Sequence, residues 1–302
     1  MKIPYLKGDY VNVYKPAPDV YPGPDSERFR AGVRYEDWVP NDFTVVHDGK
    51  RWHMLGITHP RPEEFLSPES RFPNVHEAEW QLFHAVSGSA PLKQCLREGG
   101  FSQAPLVLSA PDRPGEEHRI HAPIVWKVGG RYVMLYGPDP FRLAVSEDLF
   151  QWKPAGEAFW THAPNVSRDP NVMEKDGMYY AIYTSDDGIY LRETRDMIRY
   201  SGERRLFRLR GAPMESPILK YIDGTYYLLY CIYDGNDQVY GYYDYRTYVY
   251  AAPSLEELDG APCVAQLDAH APELFQDEDG DWYIASAEWP YRGVSIAPLG
   301  WK

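Results

Sequence analysis

Asp169–Thr184, reading DPNVMEKDGMYYAIYT, carries the decision about the fold. Two short runs rich in aromatic and β-branched or unbranched apolar residues flank Asp176-Gly177, and a glycine at that turn supplies the positive φ that a tight β-hairpin needs. The same pattern recurs four times: DFTVVHDGKRWHMLGIT from Asp42, HAPIVWKVGGRYVMLYG from His121, SPILKYIDGTYYLLYC from Ser216 and HAPELFQDEDGDWYIASA from His270. The turn glycines are Gly49, Gly130, Gly177, Gly224 and Gly280, at intervals of 81, 47, 47 and 56 residues.

A period of about 40–50 residues with four strands per repeat is the signature of a β-propeller. Further strand signals come after three of the hairpins, at 141–152, 189–197 and 247–258, each ending in a polar turn. Two separate β-sandwiches also use short strands but give no reason for two successive intervals of 47. The expectation is an all-β chain, residues 1–302 forming a single five-bladed β-propeller with four-stranded antiparallel blades. The long first interval is assigned to an insertion near 60–79, a loop on one rim.

Composition agrees. The 302 residues include 25 Tyr, 9 Trp, 24 Gly and 27 Pro, a mixture suited to many short strands joined by tight turns. With 31 Lys and Arg against 44 Asp and Glu, the net charge of −13 removes the attraction to phosphate backbones and anionic lipid that nucleic-acid and membrane-surface binders use. No apolar run is long enough to span a bilayer as a helix. The first residues lack the apolar segment of a secretory signal, and Cys95, Cys231 and Cys263 form no disulfide framework, so a cytoplasmic location is expected. Secretion with a removed signal peptide is the other reading.

In a propeller the first strand of each blade lines the central channel. Counted back from the turn glycines, Asp42, His121, Asp169, Glu215 and His270 stand 7, 9, 8, 9 and 10 residues away. Three carboxylates and two imidazoles at matched depth are costly to crowd together for packing alone. Clustered carboxylates suit glycoside hydrolysis: one carboxylic acid protonates the leaving oxygen, another carboxylate attacks or activates water, and a third raises the acid's pKa by repulsion.

On these motifs the chain resembles the five-bladed propeller glycosidases of glycoside hydrolase families 43 and 32, with their relatives in family 68. The resemblance covers essentially the whole length. It implies a catalytic trio. Asp42 in Asn41-Asp42-Phe43 is similar to the blade-one aspartate, general base in family 43 and nucleophile in family 32. Asp169 in Arg168-Asp169-Pro170 matches an aspartate that holds sugar hydroxyls and tunes the acid, and Glu215 in Glu215-Ser216-Pro217 resembles the general acid. The missing Pro-Asn-Gly after Asp42 departs from family 32, whereas Arg-Asp-Pro departs from family 43 toward it. Inversion and retention therefore both stay open.

The resemblance implies an oligosaccharide or polysaccharide-derived substrate and an exo-acting furanosidase or xylosidase. A β-fructofuranosidase-like retaining enzyme and a non-catalytic carbohydrate-binding propeller are the alternatives. Substrate contacts are expected from Arg168, His121, His270 and Arg292, with Trp160 and Trp289 as candidate sugar platforms. The carboxylate chemistry requires no cofactor. Some family 43 members hold a structural calcium in the channel with a blade-five histidine, for which His270 is the counterpart.

Overall fold

The computed structural model describes residues 1–16, 38–60, 79–88, 90–211, 213–232, 246–288 and 292–302. Two short strands, β1 (Pro4–Leu6) and β2 (Val11–Tyr14), precede the first blade. Blade one is β3 (Trp38–His47), β4 (Trp52–Pro60), β5 (Leu82–Ser87) and β6 (Phe101–Val107), with a one-and-a-half-turn helix, α1 (Leu92–Arg97), between its last two strands. Blade two is β7 (His121–Val128), β8 (Arg131–Gly137), β9 (Phe141–Ser146) and β10 (Lys153–Phe159). Blade three is β11 (Arg168–Lys175), β12 (Met178–Ser185), β13 (Gly188–Thr194) and β14 (Arg204–Arg208). Blade four is β15 (Met214–Ile222), β16 (Thr225–Ile232), β17 (Arg246–Ala252) and β18 (Cys263–Asp268). Blade five is β19 (Glu273–Gln276), β20 (Trp282–Ala287) and β21 (Val294–Trp301), completed by the N-terminal strands: β1 pairs with the end of β21 and β2 with its start.

All five blades are antiparallel, and all five turn glycines have φ between 73° and 102°, as the hairpin reading requires. The expected insertion falls outside the described residues apart from its ends, Pro60 and Glu79. Some extra length of the first repeat lies elsewhere, in α1 and in the segment 108–120 that leads to blade two. No helix among the described residues is long and apolar enough to cross a membrane.

The period-2 alternation of the second strands explains why the sheets stack radially. On β8, Tyr132, Met134 and Tyr136 face the cluster shared with blade one, and Val133 and Leu135 face the cluster shared with blade three. On β16, Leu228 and Tyr230 face blade three, and Tyr227 and Leu229 face blade five. A sheet apolar on both faces cannot stop at one neighbour, so five sheets close into a ring with five inter-blade cores. Each fully buried large apolar side chain contributes roughly 1.5–3 kcal/mol toward that closure.

Candidate active site

The inner hairpins share an irregularity at the channel mouth. Asp42, Ala122, Asp169, Ser216 and Ala271 all have positive φ, between 29° and 56°. In the first four blades each is skipped in the pairing of first and second strands, as between Arg168↔Thr184 and Asn171↔Ile182, or Glu215↔Cys231 and Ile218↔Leu229. In four blades the next residue is proline, which has no N–H to place in a ladder. A left-handed non-glycine residue costs roughly 1–3 kcal/mol. Five such residues are tolerated here where they turn a ring of side chains toward the axis.

This register corrects the sequence alignment of the channel residues. Asp42 and Asp169 occupy the skipped position itself, with Ala122, Ser216 and Ala271 as their counterparts. His121, Glu215 and His270 stand one residue earlier, where blades one and three carry Asn41 and Arg168. There are thus two rings. The five skipped residues surround a small central cavity of about 30 Å³, above which opens a larger one of about 630 Å³ lined by Asp42, Glu79, His121, Arg168, Asp169 and Glu215 among others. The trio from blades one, three and four therefore meets at one cavity.

Ser216 joins the two aspartates: its Oγ donates to Asp42 Oδ1 at 2.9 Å, and its backbone N–H donates to Asp169 Oδ2 at 3.1 Å. Asn41 Nδ2 lies 3.4 Å from Asp42 Oδ2. Arg168 reaches both other carboxylates, with Nε 3.5 Å from Asp169 Oδ2 and Nη2 3.4 Å from Glu215 Oε1. Burial opposes the charge on Arg168, but Asp169, Glu215 and Asp42 outweigh it and hold the guanidinium protonated. Asp42 is pushed well above the ordinary carboxylate range, first by its enclosure in protein and then by the charges of Asp169 and Glu215, with the Ser216 hydrogen bond acting the other way.

A fourth carboxylate was not foreseen from the sequence. Glu79 is 1% exposed, lines the larger cavity, sits 3.2 Å from His121 Nε2 and adds to the field that raises Asp42. Ser216 was missed as well, although its place before Pro217 is the same as that of Asp169 before Pro170. One wall of the cavity is the segment Pro164–Ser167, and Asp139 anchors its base through Thr161, whose N–H donates to Oδ1 at 3.1 Å.

The other expected contacts are distributed differently. His121 lines the cavity, whereas His270 is buried behind Glu215, held neutral by burial with its pKa lowered to about 3. Trp160 is exposed, donates its Nε1–H to Glu157 and does not line the larger cavity. Arg292 is paired with Glu288 at 3.0 Å beside a separate surface hollow. Trp289 lies outside the described residues.

No family model and no curated protein matches the sequence. The fold, however, is well represented among solved structures. An endo-arabinase from Bacteroides thetaiotaomicron is similar with a TM-score of 0.62 at 14% identity, over 86% of this chain and 94% of that one. An exo-1,5-α-L-arabinanase from a bovine ruminal metagenomic library gives 0.58 at 16% identity, over 86% and 92%. A family 43 β-xylosidase/α-arabinofuranosidase from a compost microbial metagenome gives 0.60 at 13% identity, over 87% and 91%. At these identities the likeness is one of fold. The chain shares the five-bladed propeller architecture of the family 43 glycoside hydrolases.

Proposed function

We propose that the protein is a glycoside hydrolase that releases sugar from the end of a furanoside or xyloside chain, with Asp42, Asp169 and Glu215 as its catalytic carboxylates. The observation that supports this is their convergence, from three different blades, on one cavity of about 630 Å³, a size suited to a small ligand. Beside it, at Asp42 and Asp169, lies the small central cavity of about 30 Å³, too small for a sugar ring, which favours a chain end over a threaded polymer.

In this reading Glu215 protonates the leaving oxygen, Asp42 removes a proton from the attacking water, and Asp169 holds substrate hydroxyls and the orientation of Ser216. Burial and the charges of Asp169 and Glu215 push Asp42 up, so this step needs Asp42 ionised while Glu215 carries the proton. The cavity presents Asp42, Glu79, Asp139, Asp169, Asp186 and Glu215 against Arg119 and Arg168, a balance that disfavours phosphate or uronate groups.

The similar structures are named for arabinan and xyloside substrates, so arabinofuranosides and xylosides head the test panel. Nitrophenyl glycosides and short arabino- and xylo-oligosaccharides are assayed with wild type and Glu215→Ala. The expected result is release of single sugars by wild type and a loss of about 10²–10⁴-fold in the variant. Sugar binding measured by calorimetry with no turnover on any member would instead identify a carbohydrate-binding propeller.

A further inference from the structure

Glu215 and Cys231 face each other across the β15–β16 pair, and His270 approaches them from blade five just ahead of β19. One ligand atom from each of the three lies within 4.8 Å of the other two. The Cys231 sulfur sits 3.6 Å from the Glu215 carbonyl oxygen, and both Cys231 and His270 are buried. This is the place where the family resemblance puts a calcium, yet the donor set is wrong for it. Calcium takes six to eight oxygens, and here one carboxylate is joined by a thiol and an imidazole. Sulfur, nitrogen and one oxygen are the donors of a soft tetrahedral ion.

We propose that Glu215, Cys231 and His270 form a site for a thiophilic divalent cation, best matched by Zn²⁺, and that its occupancy switches off the cavity by withdrawing Glu215 from substrate. Zinc–sulfur bonds of about 2.3 Å and zinc–nitrogen or –oxygen bonds of about 2.0–2.1 Å place tetrahedral ligand atoms about 3.5 Å apart. Side-chain adjustments of about 1 Å close the existing cluster onto an ion, with water as the fourth ligand. The Cys231 S–H bond breaks as the Zn–S bond forms, the Glu215 carboxyl proton is lost as its oxygen binds the ion, and both protons leave to solvent, so affinity rises with pH. No change of oxidation state is involved. The site stands on its own donor atoms; the inhibition rests on the glycosidase reading.

The test separates the two. Metal-free full-length protein is given one equivalent of Zn²⁺, and X-ray absorption at the zinc edge is expected to resolve one sulfur at about 2.3 Å with nitrogen and oxygen at about 2.0–2.1 Å. With Co²⁺ in place of Zn²⁺, a thiolate-to-metal charge-transfer band is expected in wild type and in Cys263→Ser, and is lost in Cys231→Ala. A zinc shell without sulfur, or a cobalt band that survives in folded Cys231→Ala, overturns the site. The wild-type absorption decides alone if that variant does not fold. Zinc is then expected to abolish wild-type turnover; a sulfur-ligated zinc that leaves turnover unchanged overturns the inhibition.

Discussion

In the proposed mechanism Asp42 accepts a proton in a setting that resists losing one. Enclosure and the neighbouring charges of Asp169 and Glu215 raise its pKa, so a base at this position becomes ionised at higher pH than an ordinary carboxylate. The acidic limb of kcat/KM against pH is therefore expected above about pH 4, with activity rising as Asp42 loses its proton. Asp169→Asn removes one repelling charge and is expected to move that limb to lower pH while reducing the rate; an unmoved limb would exclude the coupling. The convergence of the three carboxylates was legible because charged residues in the first halves of the inner strands have no packing rationale. Their exact ring was not, because counting back from turn glycines cannot see a skipped residue. Had the repeats been aligned on the residue before proline, Asp169 and Ser216 would have fallen together. Glu79 left no such mark: it belongs to no repeat and becomes part of the site only through the approach of His121.

The hairpins were legible as elements since each announces itself with a turn glycine and strands of aromatic and β-branched residues. The turns after the third strands were readable only as polar stretches, and the structure gives them a mechanism. In blade three, Thr194 Oγ1 accepts from the backbone N–H groups of Asp196 and Met197, and Asp196 Oδ1 accepts from those of Ile198 and Arg199. Blade two repeats the device with Ser146 and Asp148, and in both the residue after the aspartate, Met197 or Leu149, is fully buried at positive φ. The polar cap thus holds a strained apolar anchor in the inter-blade core. Thr194→Ala leaves two backbone donors short of a partner, and a loss of about 1–2 kcal/mol is expected in the denaturant midpoint at unchanged slope. Thr194→Ser, which keeps the oxygen, should recover most of it.

Closure of the ring was hidden at the level of sequence because β1 and β2 are only three and four residues long and carry no hairpin glycine. They nevertheless supply the outer edge of blade five, and Tyr14 crosses to blade one, stacking on Phe83 at 5.0 Å and donating its hydroxyl to Gln103. Tyr14→Ala removes a 3% exposed aromatic from the core between the first and last blades and is expected to cost about 3–5 kcal/mol, read as a lower denaturant midpoint. Because Asp42, Asp169 and Glu215 come from three blades, that same closure sets the geometry of the proposed catalytic carboxylates. Proton donation by Glu215 is the step on which the account turns, and the dependence on leaving group tests it most directly. Wild type and Glu215→Gln are compared on glycosides of one sugar whose leaving groups run from dinitrophenol to an alcohol. If Glu215 is the acid, the variant loses little on dinitrophenyl glycosides, which need no proton, and about 10²–10⁴-fold on alkyl glycosides. An equal loss across the series, or none, would contradict that role.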